Sequence, residues 1–226
     1  MALLSHGHYI HGVFRQMWEE SGGSLGGAWR DGVVPPGARL LYTHESPSLP
    51  EAIRDINKYS NNVMARQLFL TLSAETLKSP GSNAHSAQVI RSWLTQRAIH
   101  APEIVIENGS GLSRVERISA ASLTLVLDAA FRSPVMPELM ASLPLVAYDG
   151  TMKRRLNSSA VAGQAHIKTG SLSDVRAIAG YVLDRTGHRH VVVFFINHPN
   201  AQAGQGAQDA FLRWVYAHDA RSGAYR

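Results

Sequence analysis

The stretch HIKTGSLSDVRAIAGYVLDRTGHRHVVVFFIN, residues 166–197, decides the fold class of this protein. It contains three runs, at 166–170, 175–184 and 190–197, and the last two are rich in the β-branched and aromatic residues that favour strands. The intervening residues Arg185–Arg189 have the composition of a hairpin turn. We therefore predict three strands that form an antiparallel sheet.

Most of the remaining chain is predicted to be helical. Apolar residues recur three and four positions apart from Ile10 to Trp18, and Gly22-Gly23 ends this run. Residues 48–51, SLPE, have the form of a capping box with proline in the first turn, which predicts a helix to about Tyr59. Further helices are expected at 61–75, 84–99, 119–132 and 135–142, and around Phe211, Leu212, Trp214 and Val215.

Three finer expectations accompany this pattern. The helix at 61–75 is expected to bury Met64, Leu68 and Leu72 on one face. Strands are also expected at 38–45 (ARLLYTHE) and 103–107 (EIVIE). The whole pattern predicts an α+β fold, in which a helical body precedes an antiparallel sheet and a closing helix, within one domain that covers residues 1–226.

Composition excludes several classes of function. The net charge of +5 comes from scattered arginines, which is unlike the basic stripe of a nucleic-acid-binding protein. The absence of cysteine excludes disulfides and thiol chemistry. No apolar run approaches the roughly 20 residues of a membrane span, and Met1 starts no signal-peptide pattern. His6, His8 and His11 have metal-like spacing, but no carboxylate or cysteine completes the set, so we predict no metal and no cofactor.

Three short stretches are candidates for chemistry. Ser60 and Asn62 lie at the junction of two helical patterns, where Ser60 could simply cap the second helix. The sequence NGSGLSR, 108–114, is a glycine-rich loop that could be a turn. The strand segment KTGS, 168–171, places a cation, two hydroxyls and a bare backbone together, which suits an anion or a polarised carbonyl; a solvated edge strand is the simpler interpretation.

Four segments occur in an order that resembles a known family. They are KYSNN (58–62), NGSGLSR (108–114), LPLVAYDGTM (143–152) and HIKTGSL (166–172). From Tyr9 to Tyr216 the chain resembles the class C low-molecular-mass penicillin-binding proteins, which are D-alanyl-D-alanine carboxypeptidases/endopeptidases. The resemblance implies a partial β-lactamase/transpeptidase-like fold, a serine-type hydrolase of the periplasm, and peptidoglycan stem peptides (D-Ala-D-Ala) or β-lactams as ligands.

The family's S-x-x-K tetrad, which holds the acylated serine, does not occur in these 226 residues. The four lysines follow, at a spacing of three, Asp55, Glu75, Gly150 and Ala165. The chain therefore resembles the C-terminal part of such an enzyme without its nucleophile, and we expect it to be inactive by itself.

The resemblance also implies roles for individual residues. Ser60 and Lys168 would relay a proton to the leaving D-alanine, and Asn62 would hold the substrate backbone. Thr169 and Ser171 would bind the terminal carboxylate, and the Ser171 N–H would be one oxyanion donor. Gly170 would let the substrate lie along the strand.

Three functional hypotheses remain open at this point. The chain is part of a D-Ala-D-Ala peptidase, or a non-catalytic module that binds peptidoglycan peptides or β-lactams, or a hydrolase with Ser60 as nucleophile and Lys168 as base. The run at 190–197 would have an unpaired edge in a partial sheet, which predicts self-association as a homodimer or larger oligomer. Asp149 could orient a loop or serve the rim of the active site, but a turn through Asp149-Gly150 is the favoured interpretation.

Overall fold

A computed structural model describes residues 4–218 of the chain. The chain divides into two compact units, Met1–Ser46 and Pro47–Arg226. Each unit is described by itself, and the single domain expected for 1–226 stays a prediction. None of the described helices is long and apolar enough to cross a membrane.

The first unit contains one helix, α1 (His6–Glu20), as the apolar periodicity predicts. The Ser5 side chain accepts a hydrogen bond from the backbone N–H of His8 and caps the first turn. The strand predicted at 38–45 is wrong, because these residues adopt no regular structure and all are exposed. A strand forms only where another strand pairs with it, and none pairs with these residues in the described part of the chain.

The second unit contains the remaining helices, and each predicted helix is present with boundaries shifted by a few residues. They are α2 (Leu49–Tyr59), α3 (Asn62–Leu77), α4 (Asn83–Gln96), α5 (Ala120–Phe131), α6 (Met136–Ser142) and α7 (Gln205–Ala217), with 3₁₀ turns at Gly150–Met152 and Ala201–Gly204. The capping box is confirmed, since the Glu51 carboxylate accepts from the Ser48 backbone N–H at 2.9 Å.

The expected buried face of α3 is wrong by about one residue. Phe69 and Ser73 are buried, whereas Met64 and Leu68 are half-buried and Leu72 is exposed. The reason is the packing of α3 on α4, where the Ser86 hydroxyl donates to the Ser73 hydroxyl at 2.8 Å. This contact turns the Phe69–Ser73 face inward.

The sheet has the predicted antiparallel arrangement. Its strands are β1 (Ala165–Leu172), β2 (Val175–Leu183) and β3 (Arg189–Asn197), in the order β1-β2-β3. Opposite Lys168 in the register lie Ala179 and then Val193. The strand expected at 103–107 is wrong: it is reduced to a single bridge between Val105 and Arg117, because no longer segment of the described residues pairs with it.

Two hydrophobic clusters hold the sheet between layers of helices, which confirms the α+β class. On one face, Ile178 and Val182 of β2 pack with Leu212 of α7. On the other face, Tyr181 packs with Met140 and with Leu143, which follows α6. Four of the six predicted site residues, 168–171, lie along β1, at the edge of this three-layer arrangement.

The turn between β2 and β3 confirms the predicted hairpin. The buried Asp184 carboxylate accepts from the backbone N–H groups of Thr186 and His188 at 2.8 and 2.9 Å. Its other oxygen lies 2.7 Å from Nε2 of His190. These hydrogen bonds, led by His190, lower the pKa of Asp184. The turn therefore carries an ionised carboxylate as its centre.

Candidate active site

Ser60 occupies the junction between α2 and α3 in an unusual backbone conformation. It ends α2 with φ 53° and ψ 48°, in the left-handed region that L-residues seldom adopt. Asn61, and not Ser60, caps α3, because the Asn61 side-chain oxygen accepts from the N–H of Met64 at 3.1 Å. The simple capping role considered for Ser60 is therefore wrong, and its hydroxyl is available for another partner.

That partner is Lys168 on β1. Its Nζ donates to Ser60 Oγ at 2.9 Å and to the carbonyl of Thr169 at 2.8 Å. The side chain is half-buried, and this burial lowers the pKa of Lys168, because a charged ammonium is less stable away from water. Lys168 is thus a better proton donor than a lysine in water, and it contacts a hydroxyl that can pass the proton on.

Asn62 is also fixed, but by the glycine-rich loop. Its Nδ2 donates to the carbonyl of Ser110 at 2.5 Å. The loop holds this position because Gly109 and Gly111 take positive φ values of 66° and 78°. A Cβ on Gly109 would also lie 2.6 Å from the Phe69 side chain, so the loop rests closely on α3.

The start of the same loop is organised by one carboxylate. Glu116 Oε1 accepts from the backbone N–H groups of Glu107, Asn108 and Gly109 at 3.2, 3.0 and 3.0 Å. Three N–H groups converging on one anion leave the Ser110 carbonyl turned toward Asn62. The loop considered as a possible turn therefore both turns the chain and positions the Asn62 amide.

The outer edge of β1 is open along the segment 168–171. The preceding residues are covered, because Ile167 N–H donates to the Pro144 carbonyl at 2.8 Å and Val146 N–H donates to the Ala165 carbonyl at 2.9 Å. This pairing stops before Lys168. Since outward-facing residues alternate in an antiparallel ladder, the N–H groups of Thr169 and Ser171 also face the open edge. Among the described residues no backbone group pairs with them there.

The hydroxyls and the glycine of this segment border the open edge. Thr169 Oγ1 donates to Thr151 Oγ1 at 2.7 Å, and Ser171 is exposed. A Cβ on Gly170 would lie 3.3 Å from the Ala177 side chain, so glycine keeps this part of the strand thin. The structure thus brings together five of the six predicted site residues around one edge, whereas the Asn62 amide is bonded to the glycine-rich loop at Ser110.

Sequence reasoning missed Lys58, Ser110 and Thr151. Lys58 Nζ donates to Asp149 Oδ2 and to the Leu143 carbonyl, both at 2.7 Å. All three residues lie inside the segments KYSNN, NGSGLSR and LPLVAYDGTM, but these patterns gave them no role, and the last segment indicated only Asp149, as a turn residue. That role is confirmed, since Asp149 Oδ1 accepts from the N–H of Leu145 at 2.7 Å.

Residues 2–217 match the D-Ala-D-Ala carboxypeptidase 3 (S13) family. The chain belongs to this family. The match covers nearly all of the described residues and includes every residue of the site. It confirms the resemblance to the D-Ala-D-Ala carboxypeptidases that the four sequence segments indicated.

Individual relatives agree with this assignment. The chain is 30% identical over 165 residues to D-alanyl-D-alanine carboxypeptidase DacB of Haemophilus influenzae, which covers 72% of this chain and 34% of that protein. It is 29% identical over 224 residues to the D-alanyl-D-alanine carboxypeptidase of Actinomadura sp. (strain R39), covering 94% of this chain and 41% of the relative.

A solved structure shows the same fold. Penicillin binding protein 4 (dacB) from Haemophilus influenzae, complexed with a novel β-lactam, superposes with a TM-score of 0.77 at 25% identity. The superposition covers 96% of this chain and 52% of that structure. The chain thus spans about half the length of this structure and less than half of the curated relatives it matches.

Proposed function

We propose that this chain supplies one half of a serine acyl-transfer site for the D-Ala-D-Ala ends of peptidoglycan stem peptides, and that these 226 residues do not complete the reaction alone. The observation that carries the proposal is the 2.9 Å contact between Lys168 Nζ and Ser60 Oγ beside the open edge 168–171. A lysine–serine pair next to an unpaired strand edge combines a proton relay with a place for an extended peptide.

The proposed chemistry uses each group in one step. A serine hydroxyl from an S-x-x-K segment gives its proton to the lysine of that segment and attacks the carbonyl of the penultimate D-alanine, whose oxygen becomes an oxyanion. The outward N–H of Ser171 is one of its two donors. When the C–N bond breaks, the leaving amine takes a proton from the Ser60 hydroxyl, and Lys168 replaces that proton. The lowered pKa of Lys168 favours this transfer.

The terminal carboxylate of the substrate is bound by side chains of the same segment. The hydroxyls of Thr169 and Ser171 supply hydrogen-bond donors, and the Lys168 ammonium supplies the charge. No described residue donates to the side-chain oxygen of Asn62, which can accept from a substrate amide or from the lysine of the tetrad while Nδ2 stays on Ser110. We place this activity in the periplasm, where such peptides are found.

Ser60 is a poor replacement for the nucleophile. Its backbone N–H is already bonded to the carbonyl of Ile56, so it cannot act as an oxyanion donor. Loss of the nucleophile from a serine-protease triad lowers kcat by about 10⁶-fold. We therefore expect no measurable turnover from the 226 residues.

The second candidate function is a module that binds peptidoglycan peptides or β-lactams without cleaving them. The hydroxyls of Thr151, Thr169 and Ser171 at the open edge favour it, because binding there needs no nucleophile. The two candidates share the ligand and differ in whether an added S-x-x-K segment restores covalent chemistry.

The deciding experiment is intact-protein mass spectrometry after prolonged incubation with penicillin, alone and with a separate polypeptide that carries the S-x-x-K segment of a relative. We expect no adduct on the chain alone and a penicilloyl adduct on the added serine in the mixture. Lys168→Ala should abolish that labelling, and Lys78→Ala, a remote surface lysine, should leave it unchanged.

Two other results would change the conclusion. A penicilloyl adduct on Ser60 would overturn the proposal and establish Ser60 as nucleophile. Peptide binding at the 168–171 edge, seen by NMR titration with a D-Ala-D-Ala peptide, without labelling of any added segment would favour the binding module.

A further inference from the structure

The two sides of the site come from segments far apart in the sequence, and one ion pair joins them. We propose that Lys58 and Asp149 form a positioning pair that holds Ser60 and Thr169 in the relative arrangement the site requires. This inference rests on the proposed function, because the pair positions residues of the proposed site. Their hydrogen bonds go to each other and to the backbone of Leu143 and Leu145, so neither is assigned a contact with substrate.

Lys58, the first residue of the pair, fixes the end of α2. Lys58 lies two residues before Ser60, and its side chain is only 12% exposed. Its ammonium is satisfied by Asp149 Oδ2 and the Leu143 carbonyl, both at 2.7 Å. The neighbouring Asn57 donates to Ser142 Oγ at 2.7 Å. The last turn of α2 is therefore bound to the segment 142–149, which sets where the chain enters the left-handed conformation of Ser60.

Asp149, the second residue of the pair, fixes the segment that packs beside strand β1. Asp149 Oδ1 accepts from the N–H of Leu145, and the segment around Leu145 pairs with β1 next to His166. Two residues beyond Asp149, Thr151 Oγ1 accepts a hydrogen bond from the Thr169 hydroxyl. One carboxylate therefore orders both the segment that covers β1 up to Ile167 and the hydroxyl that contacts Thr169.

Close packing makes this connection rigid. Gly150 has a φ of 52°, and a Cβ there would lie 2.7 Å from the Lys58 carbonyl and 3.1 Å from Pro144. The backbones of α2 and of the 143–151 segment thus touch directly beside the ion pair. Because there is no room even for a Cβ between Gly150 and the Lys58 carbonyl, a change in the Lys58–Asp149 contact is transmitted to both Ser60 and Thr169.

The other lysine–carboxylate pair in the described part of the chain serves as a control. Lys78 donates to Glu75 at 2.8 Å, but the two side chains are 77% and 72% exposed. They lie three residues apart at the end of α3 and join no separate segments. An exposed pair of this kind contributes little to structure. Replacing Lys78 removes a lysine from the chain without touching the site.

The experiment measures the titration of Lys168 by NMR in the full chain labelled with ¹³C and ¹⁵N at lysine. The chain has four lysines, so Lys168 is assigned by the signal that disappears in Lys168→Arg. In both Lys58→Met and Asp149→Asn we expect its midpoint to move upward by about half a pH unit or more, because a loosened contact lets water reach the ammonium. Lys78→Met should leave the midpoint unchanged.

The sign of the two shifts separates positioning from a direct charge effect. Removing the Lys58 cation would raise the pKa of Lys168 by Coulomb's law, whereas removing the Asp149 anion would lower it. Upward shifts in both variants support the proposal; shifts of opposite sign, or no shift in either, overturn it. Lys58→Arg, which keeps a cation beside Asp149, should restore most of the original midpoint.

Folding is controlled by circular dichroism of each variant. Asp149→Asn keeps the size of the side chain and the oxygen that accepts from Leu145, so its result decides the matter if Lys58→Met fails to fold. A midpoint that stays unchanged in a folded Asp149→Asn chain contradicts the proposal. Since no substrate is used, this outcome is independent of whether penicillin labelling succeeds.

Discussion

Lys168 Nζ lies 2.9 Å from Ser60 Oγ, although the two residues are 108 positions apart in the sequence. One residue lies on an edge strand and the other ends a helix in the left-handed conformation. The contact therefore reports on both the docking of α2 against the sheet and the local backbone of Ser60. The docking of α2 and the backbone conformation of Ser60 can be tested separately.

Two substitutions of Ser60 separate its hydroxyl from its backbone. Ser60→Ala should lower the free energy of unfolding by about 1 to 2 kcal/mol, since a hydrogen bond to a charged, half-buried group is lost. Ser60→Gly loses the same bond but relieves the positive φ, and it should be about 1 kcal/mol more stable than Ser60→Ala. Urea unfolding measures both; equal stability of the two variants would show that the backbone conformation carries no cost.

The lowered pKa of Lys168 predicts a specific pH dependence. Between its lowered folded value and the ordinary lysine value of about 10.4, the unfolded chain binds a proton that the folded chain does not hold. The free energy of unfolding should therefore rise with pH through this alkaline window. Below this window Lys168 is protonated in both the folded and the unfolded chain, so the folded chain carries the full cost of burying its charge.

The matched variant for this prediction is Lys168→Met. The slope of unfolding free energy against pH, measured by urea titration, should be smaller than in the parent chain, whereas Lys78→Met should keep the parent slope. Differences between variants are compared because tyrosines titrate in the same range; burial, for example, raises the pKa of Tyr181 to about 12. Identical slopes for the parent and Lys168→Met would contradict a desolvated Lys168.

Gly150 should tolerate substitution less well than a glycine with a positive φ in open surroundings. Gly187 has a φ of 87°, and a Cβ added there would meet no atom within 4 Å, so Gly187→Ala should cost about 1 kcal/mol, from backbone strain alone. Gly150→Ala adds a clash with the Lys58 carbonyl and should cost about 1 to 3 kcal/mol more. Thermal and urea unfolding of both variants give the comparison, and equal losses would argue against close packing of this segment on α2.

The free edge of β3 predicts self-association. Strand β3 pairs with β2 on one side, and no described strand pairs with its outer edge. An unpaired edge of this length is a template for another strand. We expect sedimentation velocity to show a homodimer or larger species at micromolar concentration.

Hydrogen exchange identifies the surface involved in that association. Amides of β3 should gain protection as the protein concentration rises, whereas the open segment 168–171 of β1 should not. A clean monomer at high micromolar concentration would contradict the prediction. Protection confined to β1 would move the contact to the candidate site.

Much of the architecture follows from sequence signals that act over a few residues. The capping box at Ser48 and the apolar spacing of the helices depend only on hydrogen bonds and packing within a turn or two, and these elements appear where predicted. The hairpin around Asp184 is local for the same reason. The motif segments at Ser60 and Lys168 could also be recognised, because each is a continuous run of residues.

Tertiary structure alone decided how these segments meet. The strand predicted at 38–45 failed because a strand needs a partner that its own sequence does not specify, and α3 buried Phe69 because α4 packs against that side. Asn61 and Ser60 are both able to cap α3; the left-handed end of α2 assigned the cap to Asn61 and turned Ser60 toward Lys168. The Lys58–Asp149 pair joins residues 91 positions apart, and such a contact exists only once the intervening helices have packed.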